Sequence, residues 1–213
     1  MTDCAALYVD PQGIYATIPA VECWGLPDRD AREYAGPYPV VAHPPCSRWC
    51  RLAGLVEARW GHRRGDDGGC FRAALAAVRT WGGVLEHPAY SDAWPAYDLL
   101  APPTGGGWVR ADWHTGHSGW TCYIEQARYG HPAKKAAWLY AHGVDGVELP
   151  TLRWGHVPDQ KVKALVSWCG NHTRSSDSRP RLGKRKRSAT PVLFAEVLVA
   201  IARTAQYRED DDE

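Results

Sequence analysis

Apolar and polar residues follow one another along this chain in short blocks, and the blocks have readable periods. Ala5-Ala6-Leu7-Tyr8-Val9-Asp10 is an apolar run stopped by Pro11 and Gly13, which predicts a buried strand. Pro39-Val40-Val41-Ala42 predicts a second, ending at His43-Pro44-Pro45. From Gly69 to Thr80, Phe71, Ala74, Leu75 and Val78 recur at helical spacing, so this stretch predicts an amphipathic helix closed by Trp81-Gly82-Gly83. Gly83-Val84-Leu85 predicts a third strand, running out at Glu86-His87-Pro88. Trp120 to Gln126 and Ala136 to Tyr140 predict two more. A last helix is predicted from Thr190 as N-cap and Pro191 at the first helical position, with Phe194, Val197, Leu198 and Ile201 as its apolar stripe. Residues 101–119, rich in Gly, Pro and Trp, and the polar, basic residues 171–187 predict loops.

A helix followed at once by a strand, with polar residues released at strand ends, predicts the α/β class. In such sheets the site lies beyond the carboxyl ends of the strands. Asp10, His43 to Cys46, and Glu86-His87 all hold that position, and this convergence is the strongest functional signal in the chain.

Composition narrows the classes without choosing among them. With 45% hydrophobic and 23% charged residues the chain is neither disordered, collagen-like nor a coiled coil. Its 213 residues predict one domain over 1–205 with an acidic tail at 206–213 expected to be disordered. No apolar stretch is long enough for a bilayer and no secretion signal is recognised, which predicts a cytoplasmic protein. The seven cysteines include no C-x-x-C pair, so a reducing compartment is expected. Net charge is +1, but the tail Glu209-Asp210-Asp211-Asp212-Glu213 holds five of the 24 acidic residues, so the body is basic and suits an anionic partner such as nucleic acid. The 11 tryptophans suit base stacking, and suit a core or an interface equally well.

Two residues carry candidate chemistry. Cys46 follows two prolines, which stiffen the turn, and a thiolate there is a nucleophile if a cation lowers its pKa; His43, Arg48 and Arg51 are near in sequence. A buried structural cysteine is the plain alternative. Glu86, between an apolar strand and a proline, is placed to protonate or hydrogen-bond a ring nitrogen, or simply to cap a helix. His114-x-x-His117 and Cys169-x-x-His172 have ligand-like spacing but neither completes a zinc signature, so no metal is expected.

In this order the residues resemble a family. Val40 to Ser47, with Pro44-Pro45-Cys46, resembles the Pro-Cys nucleophile motif of cytosine-5 DNA methyltransferases, and Val84-Leu85-Glu86-His87-Pro88 is similar to their strand ending in Glu-Asn. Arg128 to Tyr140, through Tyr129-Gly130-His131-Pro132-Ala133-Lys134-Lys135, resembles their Tyr-Gly-x-Pro-Gln-Arg-Arg segment. Ser188 to Glu196 is similar to their closing motif, and the whole, through Val166 to Asn171, resembles small phage-encoded members. The resemblance implies a reduced Rossmann-like, methyltransferase-type sheet with flanking helices, working on DNA in the host cytoplasm. It implies Cys46 adding to C6 of a flipped cytosine, Glu86 holding N3, and S-adenosylmethionine as methyl donor. On the same footing Asp10, Gly13 and Thr190 are expected at the cofactor. Pro44, Pro45, Arg48, His87, Lys134 and Lys135 are expected at the base or its phosphates, and Arg185 and Arg187 on the DNA backbone.

The chain also departs from that pattern. Ala133 stands where Gln is usual, Ala137 where a second Arg is usual, and His87 where Asn is usual. The first strand leads into a turn with one glycine, Gly13, instead of a glycine-rich loop. Only 29 residues separate Asp10 from Val40, and since one βαβ unit takes about 30, two crossovers are not expected to fit. Asp28 or Asp30 is the candidate replacement for the acid that binds the cofactor ribose. The 47 residues between Tyr140 and Ser188 leave no room for a large recognition domain, so readout is expected to be short or degenerate. Two rivals follow: a pyrimidine C5-modifying enzyme using another donor or a free nucleotide, and an inactive relative that binds nucleic acid or protein.

Overall fold

The computed structural model describes residues 1–50, 53–111, 118–165 and 178–205. Strands β1 (Cys4–Leu7), β2 (Val21–Trp24), β3 (Val40–Ala42), β4 (Gly83–Pro88), β5 (Val109–Arg110), β6 (Trp120–Glu125) and β7 (Ala136–His142) form one sheet in the order β2-β1-β3-β4-β7-β6-β5. The first four are mutually parallel. β7 then runs antiparallel to both β4 and β6, and β5 antiparallel to β6. The helices are α1 (Ala53–Trp60), α2 (Cys70–Trp81), α3 (Ala93–Ala96), α4 (Lys184–Ser188) and α5 (Val192–Arg203).

The sheet is covered on both faces, as parallel strands require. On one face α2 lays Phe71, Ala74, Leu75 and Val78 against Leu7, Val40, Ala42 and Leu85. On the other, α5 lays Phe194, Leu198 and Ile201 against Ala6, Val41, Val84 and Leu139. Five predicted strands and both predicted main helices are present, with ends moved by a few residues. The strands β2 and β5 and the helices α1, α3 and α4 are additional to the predicted elements. At the last helix Pro191, not Thr190, occupies the N-cap, and its carbonyl accepts from Phe194 N and Ala195 N.

The spacing argument against two crossovers between Asp10 and Val40 does not hold. Both fit because single turns of 3₁₀ helix, Ile14–Thr17 and Ala31–Glu33, stand where α-helices were counted. A 3₁₀ turn rises about 2.0 Å per residue against 1.5 Å, so fewer residues bridge the same distance. The first crossover places β2 on one side of β1 and the second places β3 on the other. That reversal makes a switch point at the carboxyl ends of β1 and β3.

Candidate active site

Register brings the chemistry to one edge of the sheet. Pro88 pairs with Ala137 and Glu125 with Ala136, so the ends of β4 and β6 and the residues just before β7 lie together. The ends of β1 and β3 lie on the same edge, because β1, β3 and β4 are parallel.

Cys46 sits on a tight turn after β3. Its carbonyl accepts from Trp49 N and Cys50 N, both at 3.0 Å. Trp49 anchors the turn: its ring is buried against Phe71, its Nε1 donates to Asp67 Oδ2 at 2.8 Å, and its carbonyl accepts from Asp92 N at 2.8 Å. Asp67 also accepts from Gly69 N and Phe71 N, so one carboxylate caps α2 and braces the cysteine turn. Pro44 is buried and Pro45 exposed, while Cys46 and Arg48 are half-buried.

Glu86 is the hub. Its side chain is nearly sealed, with Oε2 accepting from His43 Nδ1 at 2.8 Å and Oε1 from Gln126 Nε2 at 3.0 Å. A carboxylate only accepts, so Nδ1 of His43 carries a hydrogen. The other ring nitrogen of His43 lies 2.6 Å from the hydroxyl of buried Tyr15. The result is a chain Tyr15–His43–Glu86–Gln126 across four elements. Burial alone would raise the Glu86 carboxyl, but His43, with help from Lys135 and His87, holds it down at about 2.

Burial pushes the Cys46 thiol up, and Cys50 and Glu86 push the same way; the Lys135 ammonium opposes them. Lys135 is itself pulled down by burial and supported by Glu86 and Cys46. Cys46, Glu86 and Lys135 are therefore electrostatic neighbours. Lys135, in the left-handed region at φ 41°, donates from Nζ to the carbonyls of Ser188 at 3.1 Å and Ala189 at 2.8 Å. Those carbonyls close the basic helix α4, and His131 Nε2 lies 3.3 Å from the carbonyl of Lys186. Arg185 and Arg187 are exposed on α4.

Other predicted residues lie elsewhere. His87, next to Glu86 on β4, faces the opposite side of the sheet, as strand alternation demands. It is wholly buried beside Phe71 and Trp94, and burial lowers its imidazole to about 4. Among the described residues neither of its ring nitrogens meets a partner in good hydrogen-bonding geometry. Lys134 pairs with Asp159 at 2.8 Å.

Asp10 is exposed and folds its own turn, accepting from Gln12 N and Gly13 N. Asp28 is exposed. Asp30 accepts from the backbone and guanidinium of Arg32, and this pairing lowers its carboxyl to about 2. Thr190 is half-buried, directly after the carbonyls that grip Lys135.

An acid on a strand near the first crossover is Glu22 of β2, whose Oε1 accepts from Trp24 Nε1 at 2.7 Å and whose Oε2 lies 3.6 Å from Arg29. Sequence reasoning missed Glu22, Tyr15 and Gln126. Gln126 alone had a signal, as the last, polar residue of a predicted strand. Arg51, His114, His117, Cys169, His172, the segment 166–177 and the tail 206–213 lie outside the described residues. Among the described residues no group of three or more His, Cys, Asp or Glu could hold a metal, and no helix is long and apolar enough to cross a membrane. The chain matches no protein-family model, no curated protein and no solved structure.

Proposed function

We propose that this protein modifies C5 of cytosine in DNA by way of a covalent Cys46 adduct, with S-adenosylmethionine as methyl donor. The observation that carries the reading is the meeting of Cys46, Glu86 and Lys135, far apart in sequence, at the carboxyl edge of one α/β sheet. A sheet parallel through four strands, with an antiparallel strand beside the fourth, is compatible with the methyltransferase type that the sequence resembles.

Aromatic rings polarised by nitrogen accept nucleophiles, and a thiolate is the strongest that the site offers. Cys46 sulfur bonds to C6 of the pyrimidine, the C5=C6 pair shifts toward C4, and the C4=N3 pair moves onto N3. Glu86 faces that nitrogen and Lys135 compensates the negative charge. The adduct turns C5 into an enamine-like nucleophile. After substitution there the C4=N3 bond is restored, a solvent water takes the C5 proton, its bonding pair forms C5=C6, and Cys46 leaves as the thiolate. The base must leave its stack to enter such an edge.

Glu22, on β2 beside the β1/β3 switch point, suits a nucleoside ribose as a half-buried carboxylate, with Asp10 and Gly13 on the turn that follows β1. When bound, S-adenosylmethionine supplies an electrophilic methyl group. Lys184, Arg185, Lys186 and Arg187 lie exposed beside Lys135 and would hold phosphates, positioning the duplex without reading it.

The test is nucleoside mass spectrometry on DNA from cells expressing the protein, beside cells expressing Cys46→Ser. The expected result is 5-methylcytosine in the first only. A different mass increment at C5 would replace the donor, and an unmodified genome in both would sink the methylation reading.

A further inference from the structure

Charge developing at N3 calls for a proton, yet Glu86 rests as a carboxylate whose two oxygens both accept. Of its two hydrogen-bond partners among the described residues, Gln126 cannot release a proton at neutral pH and His43 can. His43 is fixed for that task from both sides: Nδ1 on Glu86 at 2.8 Å, Nε2 on Tyr15 at 2.6 Å, with Tyr15 buried behind it.

We propose that His43 is a positioning residue that, braced by Tyr15, stores the proton which Glu86 passes to the ring nitrogen when Cys46 adds. This inference rests on the Cys46 addition proposed above.

The step balances. As the sulfur–C6 bond forms, the electron pair arriving at N3 takes a proton from Glu86, and Glu86 takes one from Nδ1 of His43. His43 passes from imidazolium to neutral imidazole, keeping Nε2–H toward the Tyr15 oxygen. Elimination of Cys46 runs the proton back. No co-reactant is needed, and the active form is the pair holding one proton between His43 and Glu86.

The groups facing this pair are Tyr15 after β1, Cys4 on β1, Cys46 and Cys50 after β3, His87 on β4 and Lys135 before β7. Tyr15 is held far above its ordinary value by burial, so it braces and does not supply the proton.

The experiment needs no methyl donor. A duplex carrying deuterium at C5 of cytosine is incubated with the full chain, and loss of deuterium is followed across the neutral pH range. In the adduct C5 is enamine-like and takes a proton from solvent water. Water then removes the deuteron from C5, the C5–D bonding pair forms C5=C6, and Cys46 is expelled, so reversible addition exchanges C5. The wild type should exchange, with a rate that changes little across this range, because the Cys46 thiolate, whose formation burial resists, grows with pH while the protonated pair declines. His43→Asn keeps a donor where Nδ1 was but stores no proton, and His43→Ala keeps neither. Both should lose about 10²-fold, the scale of general acid catalysis, with duplex binding unchanged. His43→Asn should also rise steadily with pH, following the Cys46 thiolate alone, and Tyr15→Phe should lose less rate.

If His43→Asn matches the wild type in rate and pH profile, His43 only orients Glu86 and the proton store is refuted. If the wild type binds the duplex but never exchanges, the addition reading itself fails. Carbon-13 NMR of the Glu86 carboxyl in the free protein separates the two failures: a titration moved upward in His43→Ala leaves the pairing standing and puts the failure in the addition, and an unmoved one overturns the proton store itself.

Discussion

Glu86 and His87 are neighbours in sequence and opposites in role, because a strand turns consecutive side chains to opposite faces. Glu86 is kept charged by donors and His87 is kept neutral by an aromatic core, and both choices tie stability to pH. The folded protein holds Glu86 at about 2 against an ordinary 4.5, so its contribution is complete above 4.5 and lost as pH falls toward 2. His87 sits at about 4 against 6.5. Between those values the unfolded chain binds a proton that the folded one excludes, so stability again falls as pH falls. Each shift is worth on the order of 3 kcal/mol. Urea denaturation at stepped pH should show loss beginning below about pH 6.5. His87→Leu should remove the upper part of that loss and keep the lower.

The elements that present the site hold each other by close backbone approach. Gly83 opens β4 with φ 120°, and a Cβ there would fall 2.0 Å from the carbonyl oxygen of Val40, inside the β3–β4 ladder that aligns Cys46 with Glu86. Gly83→Ala should destabilise by at least about 2 kcal/mol, combining left-handed strain with a backbone clash. Phe71 of α2 touches Trp49, His87, Trp94 and Tyr97 and is wholly buried. Phe71→Ala should cost about 3–5 kcal/mol in chemical denaturation and loosen the cysteine turn through Trp49.

At the scale of the whole molecule, the proposed duplex binding would take its salt dependence from the basic body and the exposed helix α4. Replacing Lys184, Arg185, Lys186 and Arg187 with Gln should weaken binding alike across sequences. The slope of log affinity against log salt should flatten by about 0.9 for each phosphate that α4 no longer neutralises, as a fluorescence anisotropy titration would show. A slope left unchanged would remove α4 from the interface. By itself the sequence determined the α/β class, five strands, two covering helices and the strand ends where Cys46 and Glu86 stand. Those follow from local period and from Pro and Gly stops, which act over a few residues. It did not disclose β2, whose half-buried residues have no continuous apolar run, nor the two 3₁₀ crossovers that defeat a count based on α-helices. Nor did it disclose that Tyr15, His43, Glu86 and Gln126 form one hydrogen-bonded chain, or that His87 turns into the core. Only the tertiary structure decided these, because sheet order and register, set by packing on both faces, bring together side chains that no local pattern relates.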